Sequence, residues 1–130
     1  MRVSLIKMGE GELDMSRIRE LVRYPGLLGD TLNDARPEAI TLIAALREGM
    51  TRRDRARVGF SAHTLHGLFA LLGAKRATAL GRAFESWARS TDELAPSLDA
   101  LEAAWFAALA ELEEVARREA IEPSVIPDDE

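Results

Sequence analysis

The chain has 130 residues, 47% apolar and 30% charged, enough to bury one core, coat it, and exclude disorder for its bulk. With 17 basic and 22 acidic residues the net charge is -5, and aromatics are only 5%, which argues against nucleic-acid binding and base stacking. Cysteine is absent, removing disulfides, thiolate zinc sites and a cysteine nucleophile, and a cytoplasmic location is expected.

Residues 1–11 carry an apolar stretch broken too early by acid for a secretory signal, and read as an N-terminal segment that could be loose. No stretch of about eighteen apolar residues exists to cross a membrane. A helical domain is expected over residues 12–120, and residues 121–130 read as an acidic, proline-containing tail. The first helix fits Glu12 to Arg23, with Leu13, Ile18, Leu21 and Val22 on one side and Tyr24-Pro25-Gly26 as its stop. A second pattern runs from Asp30 to Met50 through Leu32, Ala39, Ile40, Ile43, Leu46 and Met50. Pro37 either bends this helix or stands in its first turn.

A third helix is expected from Arg53 to Leu72, with Asp54 as N-cap and Gly73 as the left-handed end. A fourth spans Lys75 to Arg89, with Ala77, Leu80, Phe84 and Trp87 at helical spacing. Ser90 and Glu93 look like a capping box for a long last helix carrying Leu94, Leu98, Leu101, Trp105, Ala108, Leu112 and Val115. Short connections between long amphipathic helices give the expected fold. It is an all-α, antiparallel up-and-down four-helix bundle with a short extra N-terminal helix.

Chemistry concentrates on the third helix. On a wheel of about 100° per residue, Val58, Leu65, Phe69 and Leu72 define the core face, and His63 points the other way. Its own stripe is Ala56, Gly59, Gly67 and Ala70, so the imidazole stands over a surface with few side chains. Each interior glycine costs about 0.5–1 kcal/mol relative to alanine, so Gly59 and Gly67 suggest that open space around His63 matters. The alternative is that they admit a neighbouring helix. Phe60 and Leu71 flank the stripe as an apolar rim, either a docking surface with Gly59 and Ala70 or side chains packed under the first helix.

Ala62-His63-Thr64-Leu65-His66-Gly67, followed by Leu72-Gly73-Ala74, is similar to the signature of histidine phosphotransfer (Hpt) domains. Leu80, Phe84 and Glu85 resemble the family's next helix, and Asp34 to Glu38 its upstream segment. The resemblance covers roughly residues 16 to 115. It implies a phosphoryl carrier without kinase activity, with His63 Nε2 as acceptor and His66, Gly67 and Glu85 in support. Glu85 in that family role would hydrogen-bond the Nδ1 edge of the imidazole directly or through water. The implied partners are response-regulator receiver domains and a hybrid sensor kinase, the carrier being a monomer without nucleic acid or membrane. No cofactor or metal of its own is implied; Mg²⁺ belongs to the partner receiver.

The family usually has lysine where this chain has His66. A free histidine is mostly neutral at pH 7, so phosphoryl transfer is expected to vary across about pH 6 to 8, and His66→Lys to flatten that variation. Lys75, Arg76 and Arg82 could add positive charge near the site. The run Arg52, Arg53, Arg55 and Arg57 could meet an acidic receiver or simply follow the preceding helix end. Three rival readings stand beside the carrier: a metal site from His63, His66 and Glu85, a two-chain histidine domain of a sensor kinase, and an adaptor that binds receivers unphosphorylated.

Overall fold

A computed structural model describes residues 11–121. The expectations for residues 1–10 and for the acidic tail beyond Ile121 lie outside the described residues. Five helices follow in order: α1 (Met15–Val22), α2 (Leu27–Thr51), α3 (Arg55–Leu71), α4 (Lys75–Ala88) and α5 (Leu98–Ile121). Apart from one antiparallel bridge between Leu13 and Ala74, no strand pairing occurs among the described residues. The fold is an all-helical bundle in which α3 packs between α2 and α4, while α5 closes against α2 and α4. None of these helices is long and apolar enough to cross a membrane.

Three short connections set the up-and-down order. Gly26 adopts φ 81° and admits the chain into α2. Asp54 caps α3 by accepting from the Arg57 N–H at 3.1 Å, after a turn in which Arg53 takes φ 56°. Gly73, at φ 73°, ends α3, and an added Cβ there would meet Arg17 and Ile18 at 3.2 Å. That close approach seats α1 on the α3–α4 turn. Asp14 N–H donates to Gly73 O at 2.7 Å, Lys75 N–H to Glu12 O at 2.9 Å, and Arg17 Nε to Leu71 O at 2.7 Å.

The core follows the 3.6-residue period. Leu13, Ile18, Leu21 and Val22 are buried, as are Val58, Leu65, Phe69 and Leu72 from α3 and Ala77 and Phe84 from α4. α5 contributes Leu101, Trp105, Ala108, Leu112 and Val115. Two apolar residues depart from the expected stripes. Ile40 is exposed, because Ala35, Ala39, Ile43 and Leu46 define the buried side of α2 and Ile40 falls about 100° from Ala39. Leu94 is 89% exposed because α5 begins later than expected.

The Ser90–Glu93 capping box is therefore corrected. Residues 91–97 form a non-helical connection with a bend at Glu93, and α5 is capped by Ser97, whose Oγ accepts from the Ala100 N–H at 3.0 Å. Pro96 explains the delay: it disfavours helical geometry at Ala95 and leaves Ser97 as the first residue able to cap. Ser90 instead donates from Oγ to Trp87 O at 2.9 Å and accepts from the Asp92 N–H at 3.2 Å. Pro37 lies inside α2, which starts at Leu27, ahead of the expected Asp30.

Arg55 ties this connection to α3. Its guanidinium sits 3.9 Å from the centroid of the Trp87 ring and donates to Trp87 O, Ser90 O and Asp92 O at 3.0, 2.7 and 2.6 Å. Arg52 and Arg57 pair with Glu48 at 3.0 and 3.2 Å. Arg55 thus holds the bundle together, while Arg52 and Arg57 remain largely exposed in their surface pairs with Glu48.

One buried carboxylate carries a stability prediction. Glu119 is 5% exposed in α5; burial raises its pKa, with the Gly26 N–H acting in the opposite direction. A raised folded-state pKa means that its contribution is fullest below the unfolded value and is lost as pH rises through the folded one. Glutamine mimics the protonated form, so Glu119→Gln is expected to stabilise the protein by about 1 kcal/mol at pH 7. Denaturant titrations at pH 7 and pH 4 should show that gain shrinking at the lower pH. A destabilised variant at pH 7 would contradict this account.

Candidate functional site

His63 stands on the outer side of α3 with 67% of its side chain exposed. Its neighbours on α3 alternate as the wheel requires: Ala62 and Leu65 are buried, while Gly67 and Ala70 are exposed. The imidazole is nonetheless not free to turn. Glu85 reaches across from α4, and its Oε2 lies 2.8 Å from His63 Nδ1. This bond lowers the pKa of the Glu85 carboxyl, opposed by desolvation and aided by the Arg89 guanidinium. The ionised carboxylate accepts the proton on Nδ1. With the Nδ1 proton donated to this carboxylate, Nε2 is the ring nitrogen that keeps the lone pair.

His66 sits one turn further along α3 and is mostly covered, 19% exposed at its side chain. Its Nδ1 lies 3.0 Å from Glu85 Oε1, outside hydrogen-bonding alignment, so this buried nitrogen has no hydrogen-bond partner. The two imidazoles meet edge to face with centroids 5.1 Å apart. Arg89, one turn beyond Glu85 on α4, donates from Nη2 to Glu85 Oε2 at 3.1 Å. Glu85 is thus the hub, facing two histidines and one guanidinium.

Glycines set the spacing between α3 and α4, though not all as expected. An added Cβ at Gly67 would meet nothing within 4 Å, so this residue keeps open space beside His63. At Gly59 it would meet the Ala88 Cβ at 3.2 Å, so this glycine admits α4. Gly81 makes the closest approach, its Cβ position 3.0 Å from His66 Cβ. Neither Gly81 nor Arg89 stood out in the sequence, although an interior glycine one turn before Glu85 and an acid–base pair at i, i+4 were legible signals.

Around the imidazole, Phe60 is 72% and Leu71 44% exposed, so Phe60 does not pack beneath α1 and Leu71 does so only in part. A shallow cleft beside His63 is lined by Arg55, Ala56, Gly59, Phe60, Glu85, Ala88 and Arg89. Lys75 and Arg76 stand about 15 Å along α4 from Glu85, with Arg76 3.3 Å from Glu12. Arg82 is exposed one turn from Glu85. The cation that reaches the hub is Arg89 alone among the described residues.

A sequence model of the Hpt domain matches residues 30–118, more than half of the chain. The chain belongs to the Hpt domain family. No curated protein and no solved structure gives a match. Hpt domains are phosphocarriers of two-component signalling and not kinases, and the matched segment spans α3 and α4 entire.

Glu85 holds the Nδ1 edge of His63, and its removal carries an expected, measurable cost. In a Glu85→Ala Hpt domain the imidazole keeps its exposure but loses the acceptor on Nδ1. Phosphoryl transfer is expected to slow about tenfold, the scale of one charge-assisted hydrogen bond, without being abolished. Rapid-quench measurement of the transfer rate checks this. A rate equal to wild type would show that the bond has no positioning role. Because the carboxyl's pKa is lowered, acidification should disrupt the bond on the Glu85 side only below the usual carboxylate range.

Proposed function

We propose that this Hpt domain carries a phosphoryl group on His63 between receiver-domain aspartates in a phosphorelay, as a cytoplasmic monomer. The observation that carries the reading is an exposed imidazole whose Nδ1 is engaged by Glu85, so that the lone pair is left on Nε2. In the forward step the Nε2 lone pair approaches the phosphorus of an aspartyl phosphate in line. The N–P bond forms as the P–O bond to the aspartate breaks, and the aspartate leaves as a carboxylate. Positive charge develops on the ring, and the Glu85 carboxylate stabilises it through the Nδ1 proton. The reverse sequence returns the group.

Such a carrier can be small because phosphoryl transfer passes through a loose transition state, where catalysis is mostly positioning and charge stabilisation. The receiver supplies the acidic pocket and Mg²⁺; this chain supplies the nucleophile and its tautomer. Phe60, Gly67, Ala70 and Leu71 form the surrounding contact surface, with Gly59 set back against α4.

The test is incubation of the full chain with a receiver carrying a radiolabelled aspartyl phosphate. Label should move to the chain, survive alkali and be released by acid, as an N–P bond requires. Stable association with the receiver and no label would favour the unphosphorylated adaptor and overturn the carrier reading.

A further inference from the structure

We infer that His63, His66 and Glu85 form a binding site for a borderline divalent transition ion of the zinc class, and that its occupation silences His63 as a nucleophile. One ligand atom from each of the three side chains lies within 4.8 Å of the others. Both Nδ1 atoms face the same carboxylate, His63 at 2.8 Å from Oε2 and His66 at 3.0 Å from Oε1. Ligand atoms about 2.0–2.2 Å from a tetrahedral Zn²⁺ stand about 3.3–3.5 Å apart, so the trio, now spread within 4.8 Å, closes on the ion by rotation of the two imidazoles together with a small shift of Glu85. Two imidazoles and one carboxylate are a borderline-metal donor set, unsuited to Mg²⁺, and leave a fourth position for water.

The same geometry leaves the buried His66 Nδ1 3.0 Å from Glu85 Oε1 without an aligned hydrogen bond. An orphaned buried nitrogen is costly, and a metal ion satisfies it. Lysine in its place could not: its ammonium at neutral pH has no lone pair to donate. The site is therefore a consequence of histidine at position 66 of this chain. One feature opposes it. The Arg89 guanidinium already lies on Glu85 Oε2 at 3.1 Å and must be displaced or share the carboxylate.

The consequence for His63 follows from proton counting. A neutral imidazole holds one N–H. Bonded to Glu85, that proton sits on Nδ1 and Nε2 keeps its lone pair. When Nδ1 gives its lone pair to a metal, the proton moves through solvent to Nε2, whose lone pair is then no longer available to phosphorus. No proton is gained or lost overall. The ion thus selects the tautomer opposite to the one Glu85 selects.

Binding stands on its own geometry; the silencing rests on the carrier reading. Calorimetric titration of the chelator-treated full chain with zinc chloride is expected to show one site. His66→Lys should weaken it at least about tenfold, and Arg89→Ala should tighten it. Equal zinc binding by wild type and His66→Lys, no binding by wild type at about 100-fold excess of ion over protein, or equal binding of Mg²⁺ would each overturn the site. In the transfer assay, Zn²⁺ should slow labelling of wild type at least about tenfold relative to metal-free buffer, while in His66→Lys that ratio should stay near one. Equal inhibition of both proteins overturns the silencing, since the ion then acts on the receiver. Were neither protein labelled even without metal, the carrier reading would fail, and the titration alone would still decide the site.

Discussion

His63→Gln is expected to abolish the acid-labile phosphoryl label while leaving the bundle intact. The imidazole side chain is 67% exposed, and its one hydrogen bond among the described residues is to Glu85 across the helix pair. Glutamine is close in reach and helix propensity, so the change in stability should stay within about 0.5 kcal/mol, as for most exposed positions. Its amide nitrogen has no nucleophilic lone pair, and no other group at the site takes that role with the same exposure. His66, the nearest imidazole, is mostly covered and directs Nδ1 at Glu85. Loss of label should therefore exceed about a thousandfold, as is usual when a nucleophile is removed. Circular dichroism on the same preparation separates lost chemistry from lost fold. Persistent label on a folded His63→Gln chain would move the acceptor elsewhere and refute the site.

The second large effect concerns what holds α3 in place. Phe69 is fully buried and stacks on Trp105 of α5, with ring centroids 5.1 Å apart and planes 28° from parallel. Phe69→Ala removes that stack and leaves a cavity between helices that cannot collapse without moving α5. The expected cost is about 3–5 kcal/mol, against a total stability of about 5–15 kcal/mol for an ordinary domain. Thermal unfolding should show Tm lowered by about 10–20 °C. Below that Tm the exposed side of α3 is unchanged, so transfer from a phosphorylated receiver should persist in the cold and fail on warming before wild type does. A shift of less than about 3 °C would mean that α3 is not anchored through this ring pair.

Several elements of the site could be read before any coordinates. The core face of α3, with Val58, Leu65, Phe69 and Leu72 opposite His63, follows from helical period alone, and all four are fully buried. Asp54 as the cap of α3 and Gly73 as its end follow from local backbone chemistry. Glu85 was reachable only through family resemblance, since twenty-two residues of chain separate it from His63 and no spacing rule joins different helices. The metal-capable grouping of His63 and His66 with Glu85 was visible as residue types, but the orphaned nitrogen of His66 was not.

Where the sequence reading failed, a competing local signal had been outweighed. Ser90 and Glu93 fit a capping pattern, yet Pro96 postpones α5 to Leu98 and leaves Leu94 in solvent. Gly59 could be read either as open space or as a helix contact, and only the position of Ala88 decides for the contact. Arg55 reads as surface charge, but the Trp87 ring and three carbonyls occupy it.

The amino-acid sequence by itself determined the helices, the side of α3 that must be buried and hence the outward direction of His63. Period, caps and breakers act within a few residues along one chain. Only the tertiary structure decided which neighbour α3 meets, that Gly81 lets α4 come against His66, and that Glu85 and Arg89 arrive beside the imidazole. Those facts depend on interhelical distance and rotation, which the packing of whole helices settles and no local pattern encodes.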